Sequence, residues 1–207
     1  MKKSSRQKAQ KEDRVQKESR KGKSPAKNAS GRISKDEYYL GIAREVSRRS
    51  TCFRRSIGAI IVRDDQIIST GYVGAPRKTR DSLEHGFCLR DRLNIPHGQR
   101  YELCRSVHAE QNAIINAARA GVSLLGGDMF IYGSDPRSGQ PIDAFPCFIC
   151  KKMIINAGLK RVVCSTASGG LEIFQVDKWI KDWQENDILD DTHQYGVPYE
   201  NNKRKKD

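Results

Sequence analysis

The sequence predicts an α/β protein built on one mixed five-stranded sheet with helices over both faces. Three observations lead there. Short β-branched apolar runs punctuate the chain, stretches with apolar residues three and four apart separate them, and the elements run β-β-α-β-α-β-β with one helix in front and one behind. At 207 residues the chain suffices for one domain with a sizeable core and is short for two.

Ser34 opens S-K-D-E, which puts Glu37 at the third helical position ahead of Tyr38, Leu40, Ile42, Ala43 and Val46. This capping-box pattern predicts a helix over about 35–50. IGAIIV at 57–62 and QIISTGY at 66–72 read as strands, and Asp64 and Asp65 between them predict a hairpin. Residues 73–107 are rich in Gly, Pro, Arg and Asp, with one weak helical pattern near CLRDRLN; connections this long are usually functional. A helix is expected from 108 to about 120 and a strand at 128–133 (DMFIYG), followed by a second loop, SDPRSGQPIDAF. The helix predicted over 147–157 stops at Gly158, and RVVCS at 161–165 forms a strand. LEIFQV reads as the fifth strand. Its direction is open, although the short STASGGL link favours a hairpin. In DKWIKDWQEND, Trp179 and Trp183 share a helical face as packing residues.

The net charge of +13 suggests a nucleic-acid binder until its position is considered. Residues 1–31 hold eleven Lys/Arg against three Asp/Glu, and residues 203–207 hold four against one. The body, 32–202, carries 23 basic and 21 acidic residues and is nearly neutral. Three segments follow: a basic tail at 1–31, a folded domain at 32–202 and a basic C-terminal tail at 203–207. Residues 1–31 offer only Met1 and Val15 as large apolar side chains, too few to offset the entropy of ordering, so a solvated tail is expected. Weak contact with RNA, DNA or another polyanion is the alternative use of both tails. No apolar run approaches a membrane span, and the first residues lack the apolar core of a secretion signal. A cytoplasmic protein without membrane contact is expected, with Cys52, Cys88, Cys104, Cys147, Cys150 and Cys164 reduced or bound to metal.

Cys147 and Cys150 stand three apart at a helix start, which puts both thiols within reach of one ion. Pro146 is tolerated there because first-turn amides lack helical partners, and the positive helix end favours thiolates. A lone C-x-x-C also suits redox or structural-zinc use. His108 adds a third ligand, and zinc sites with three protein ligands keep a fourth position for a water whose pKa falls to about 7. Glu110, two residues on, does not stack on the same helical face as His108, so it reads as a proton carrier rather than a ligand.

H-A-E at one helix start and P-C-x-x-C at the next resemble the signature of zinc-dependent nucleobase deaminases. SVHAEQNAI, RRSIGAIIV, TGYVGAPR and PCFICKKMIINAGLKRVV are most similar to the deoxycytidylate deaminase branch, over roughly residues 35–180. The resemblance implies a three-layer αβα cytidine-deaminase-like fold and a zinc-dependent hydrolase converting dCMP and water to dUMP and ammonia. It implies Zn2+ held by His108, Cys147 and Cys150, and Glu110 as a general acid and base acting twice. It also implies a homo-oligomer. Members of related branches run the fifth strand parallel.

Where many relatives have G-Y-N-G, this chain has Gly71, Tyr72, Val73 and Gly74, so a polar contact expected near the substrate sugar is missing or supplied elsewhere. Arg55 and Arg77 are candidates for the nucleotide phosphate, with Arg54 beside them. Tyr72 and Ala109 are further candidates for substrate contact. His85, Cys88 and Cys104, with His97 nearby, are candidates for a second, structural metal. Cys52 and Cys164 read as small buried hydrophobes. A tRNA adenosine deaminase would make better use of the basic tails but usually has a shorter segment before H-A-E. Guanine and free-cytidine deaminases fit less well, the latter usually having cysteine at the position of His108. Of another class is a non-catalytic zinc-stabilised RNA- or partner-binding module, which would have no use for Glu110.

Overall fold

The computed structural model of the chain describes residues 31–96 and 98–185. The expected tails, apart from Gly31, the last part of the expected domain, and His97 lie outside the described residues. Helix α1 (Lys35–Ser47) starts as its capping box dictates: the Glu37 amide donates to Ser34 Oγ at 3.1 Å, and the Ser34 amide donates to the Glu37 carboxylate at 2.8 Å. It stops before residue 50 because Ser50 is used elsewhere, its Oγ accepting from the Ile57 amide and donating to the Ile57 carbonyl, both at 3.0 Å.

Strands β1 (Ser56–Arg63) and β2 (Gln66–Tyr72) form the expected antiparallel hairpin. Asp64 and Asp65 both adopt positive φ, 50° and 63°, the backbone of a two-residue turn whose twist matches that of the strands. With β3 (Asp128–Ser134), β4 (Arg161–Ser165) and β5 (Leu171–Gln175) they make a sheet of order β2-β1-β3-β4-β5. Only β3 and β4 pair in parallel. Strand β5 runs antiparallel to β4, the direction favoured by the short link, where Thr166 donates its amide to the Gly170 carbonyl at 3.0 Å.

Side chains alternate between the two sheet faces, and each face has its own core. Ile60, Val62, Phe130 and Val163 meet Tyr39 and Ala43 of α1. On the other face Ala59, Ile61, Met129, Ile131, Val162 and Cys164 meet helix α4 (Ala109–Arg119), Ile154 of α5 (Phe148–Asn156), and Val176 and Trp179 of α6 (Val176–Glu185). The result is three layers, αβα. Trp179 and Trp183 are packing residues: Trp179 lies against Phe174 and Trp183 stacks on Phe148. No helix among the described residues is long and apolar enough to cross a membrane.

The long segment after β2 is not structureless. It carries two short helices, α2 (Ser82–His85) and α3 (Leu89–Arg92), and a 3-10 turn at Tyr101–Leu103. Its ends are tied by a bridge in which Gly74 and Val107 exchange backbone hydrogen bonds of 3.2 and 2.8 Å. The segment is therefore a closed lobe that returns the chain to the point where it left the sheet.

Helix α4 lies close to β2 because both sides are small. Ala109, Ala113 and Ala117 form one stripe of the helix, all buried, and the opposing strand has Gly71. A Cβ at Gly71 would fall 2.3 Å from the Ala113 nitrogen and 2.4 Å from the Ala109 carbonyl oxygen, so no side chain fits without moving the helix. Gly41, on the outer part of α1, would meet nothing within 4 Å. Thermal unfolding separates the two: Gly71→Ala is expected to cost about 1–3 kcal/mol through overpacking. Gly41→Ala is expected to raise stability by about 0.4–1 kcal/mol by removing helix-interior backbone freedom.

Candidate active site

Two helix N-termini meet at one end of the sheet. His108 is the N-cap of α4, with φ −68° and ψ 154°, and its amide donates to Gln111 Oε1 at 3.1 Å. Cys147 is the N-cap of α5, and Cys150 lies in the first turn of that helix. The loop that delivers Cys147 is pinned on both sides. Ile142 donates its amide to Gly133 of β3 at 3.1 Å, and Ala144 donates to Ser165 of β4 at 3.0 Å. Pro146 is fully buried ahead of the helix.

His108 Nδ1 lies 3.5 Å from Cys147 Sγ and 3.4 Å from Cys150 Sγ. The three ligand atoms all lie within 4.8 Å of one another, and among the described residues this is the only such group of three or more His, Cys, Asp or Glu. Glu110, in the first turn of α4, is 6% exposed, and its carboxylate hydrogen-bonds the Cys150 thiol. The four residues picked out from the sequence are thus brought together.

The electrostatics of the cluster are those of neighbouring acids sharing protons. The hydrogen bond from Cys150 holds the Cys147 thiol down at about 4, with His108 adding to the effect against burial. The same bond, with burial and the nearby Glu110 carboxylate, pushes Cys150 well up. Burial alone would lower His108, but the Cys147 thiolate and Glu110 raise it. Burial raises Glu110, and the His108 charge offsets this only in part. One anionic thiol is stabilised and the second is not, a balance that changes only when a cation neutralises both. Two soft thiolates and an imidazole with this convergence are a donor set that fits zinc.

The other expected site residues divide. Arg55 is half-buried near the cluster; its NH1 donates to the Asp143 carbonyl at 3.4 Å and its charge reaches Tyr101. Arg54 is engaged by Asp91 at 2.6 Å and the Ile95 carbonyl at 2.9 Å. Arg77 is exposed and donates to Asn116 Oδ1 at 2.6 Å. Asn116 is eight residues along α4 from His108, or about 12 Å at 1.5 Å per residue. Tyr72 is exposed, with its carbonyl accepting from Asn112 Nδ2 at 2.8 Å. Ala109 is 1% exposed and packs in the core, which leaves only its backbone for a ligand. Val73 is buried and offers no polar side chain.

His85, Cys88 and Cys104 are not assembled as a ligand set among the described residues. His85 Nε2 faces Arg105 NH1 at 2.6 Å, and its ring lies edge-on to Phe87. Instead, Cys88 and Cys104 lie near enough to Cys52 to raise its thiol pKa, although burial is the larger cause. Cys52 Sγ also accepts the Arg54 amide at 3.4 Å. The sequence gives no spacing signal for this, because Cys52 precedes the hairpin and the other two lie in the lobe.

The family described as "Cytidine and deoxycytidylate deaminase zinc-binding region" matches residues 33–166, more than half of the chain. The deoxycytidylate deaminase of Schizosaccharomyces pombe is 33% identical over 136 residues, 66% of this chain and 38% of that protein. The deoxycytidylate deaminase of Mycobacterium phage D29 is 34% identical over 134 residues, 62% of this chain and 91% of the phage protein. The chain thus spans about 38% of the length of the S. pombe relative and, equally, of that from Saccharomyces cerevisiae. A crystal structure of the cyanophage S-TIM5 dCMP deaminase in complex with dCMP and dUMP is 28% identical, covers 65% of this chain and 85% of its own, and has a TM-score of 0.46.

Proposed function

Because the chain belongs to the cytidine and deoxycytidylate deaminase family, we propose that it is a zinc-dependent hydrolase that converts dCMP and water to dUMP and ammonia. The observation that carries this is the convergence of His108, Cys147 and Cys150 beside the buried carboxylate of Glu110. A hydrolase needs both halves; a binding module needs only the first. The reading is of a cytoplasmic homo-oligomer that takes a free nucleotide; the names of the S. pombe and phage relatives support the nucleotide.

His108, Cys147 and Cys150 would hold the zinc. When bound there it supplies an open coordination position at which water is acidified toward neutral pH. Glu110 receives the proton given up by the attacking water, delivers one to the ring nitrogen beside the reacting carbon, and then passes one to the departing amine. Its raised pKa, caused by burial, suits this work, since a carboxyl that binds a proton more readily is the better acceptor in the first half of the cycle and keeps the proton it must later deliver. Gln111 holds the His108 backbone through its amide and so fixes the helix start that carries ligand and proton carrier together.

Arg55 is the stronger of the two phosphate candidates, since it borders the cluster while Arg77 is engaged two turns away.

Three outcomes are expected. Ammonia release from dCMP by zinc-loaded Glu110→Gln should fall about 10²–10⁴-fold with zinc content unchanged. Cys150→Ser, by contrast, should lose one equivalent of zinc together with activity. Turnover of dCMP by Glu110→Gln at the wild-type rate would remove the proton-carrier role. In steady-state kinetics, Arg55→Ala should raise KM for dCMP roughly tenfold, the cost of a charge-assisted phosphate contact, and leave KM for deoxycytidine nearly unchanged. Arg77→Ala should change both little. Metal analysis of the zinc-loaded wild type should give one zinc ion per chain, bound by the His108, Cys147 and Cys150 cluster; two would show that the lobe cysteines also assemble around an ion.

A further inference from the structure

The geometry points to Arg90 and Tyr101 as a positioning pair that sets the orientation of the His108 ring from outside the ligand cluster. This rests on the reading of His108 as a zinc ligand and goes beyond it by giving the lobe before α4 a part in the site.

An imidazole on an N-cap is held by its backbone, but its ring torsion is broad. Metal-ligating histidines are commonly fixed by a hydrogen bond from the second ring nitrogen. Among the described residues, His108 instead directs Nδ1 at the two thiols and packs against Tyr101, with ring centroids 4.9 Å apart and planes 82° apart. Tyr101 sits in the 3-10 turn of the lobe, half-buried. Arg90 also lies over this ring, its guanidinium carbon 4.8 Å from the Tyr101 centroid.

Arg90 is an unusual residue to bury. It is 4% exposed, and its NH2 donates to the Pro96 carbonyl at 3.1 Å. Its Nε has no partner among the described residues. Glu102 feels the Arg90 charge only at longer range than an ion pair, and a buried cation so placed is costly unless other groups compensate. Here the compensation includes the face of Tyr101, because a guanidinium over an aromatic ring is attracted to it and worth more when desolvated. The cation therefore favours one placement of Tyr101, and Tyr101 in turn leaves one placement for the imidazole. The order Arg90, Tyr101, His108 runs from the lobe interior to the ligand cluster, and the Gly74–Val107 bridge anchors the lobe at its base.

Arg92 provides the internal comparison. It lies in the same short helix, over Phe87 at 3.5 Å, and forms no part of the stack on His108. The experiment uses full-length zinc-loaded protein and follows zinc release to a chromogenic chelator. Absorption spectra of the cobalt-substituted protein, which report ligand geometry, are taken in parallel. Arg90→Met and Tyr101→Ala should each release metal roughly tenfold faster or more and shift the cobalt bands. Tyr101→Phe, which keeps the ring, should match the wild type, and Arg90→Lys should recover part of the loss. Arg92→Met should change neither measurement. Wild-type release rates and cobalt spectra in Tyr101→Ala, or equal acceleration by Arg92→Met and Arg90→Met, would overturn the positioning role. Zinc content unaffected by His108→Ala would instead overturn the metal reading on which it rests.

Discussion

The depth to which α4 sinks onto the sheet decides where the chemistry sits. At Gly71 the strand has no side chain, and the helix backbone occupies the space a Cβ would need. Ser69, one residue pair back along the strand, locks the same approach by donating its hydroxyl to the Ala113 carbonyl at 2.6 Å. Asn112 and Asn116, one and two turns from His108, add hydrogen bonds to the carbonyls of Tyr72 and Thr70 at 2.8 and 2.7 Å. A glycine, a serine and two asparagines thus fix the helix in height and rotation. His108 and Glu110 have their positions because this contact leaves the helix no other seat. The alanine stripe at 109, 113 and 117 is the helix's half of the same constraint.

The second constraint is electrostatic and follows from the first. With α4 seated, its N-terminus faces that of α5, and unpaired amides at both ends favour negative charge. The Cys147 thiolate is at ease there, whereas Cys150 is pushed toward keeping its proton and His108 is raised by Cys147 and Glu110 against the effect of burial. Glu110 shares the positive end but is buried against Cys150, so desolvation works against its ionisation. The same location therefore favours one anionic sulfur, at Cys147, and a proton-retaining carboxyl beside it. Burial distinguishes these roles more than residue type does.

Much of this was legible in the sequence where local rules govern. The capping box at Ser34 and Glu37, the aspartate pair at the hairpin and the spacing of Cys147 and Cys150 act over three or four residues, and each appears as read. What local spacing could not show was proximity across the fold. Arg77 follows β2 by only five residues and reads as a loop arginine free to meet a phosphate, but Asn116 of the underlying helix takes it. His85 and Cys88 are three apart, a spacing that suits a metal; Arg105, twenty residues on, claims the histidine. Cys52 comes within electrostatic range of Cys88 and Cys104 only because the lobe returns to the segment before β1, where Arg54 ties Asp91. Such competition for partners depends on the folded lobe.

The lobe also explains how so long an insertion can precede the most demanding position in the chain. Loop closure costs little more as length grows, so thirty residues are not much more expensive than fifteen; the difficulty is keeping the far end in register. Two devices meet it here. The Gly74–Val107 bridge joins the ends one residue before His108, so motion within the lobe is not passed along the backbone to the ligand. Cationic side chains then replace much of the apolar core that a segment of this composition lacks: Arg54 ties Asp91 and Ile95, Arg90 ties Pro96 and covers Tyr101, and Arg92 and Arg105 cover Phe87. Guanidinium groups can do this because they stack on rings and bond carbonyls at the same time. Part of the positive charge of the body is thus structural, spent in holding the lobe rather than facing a polyanion.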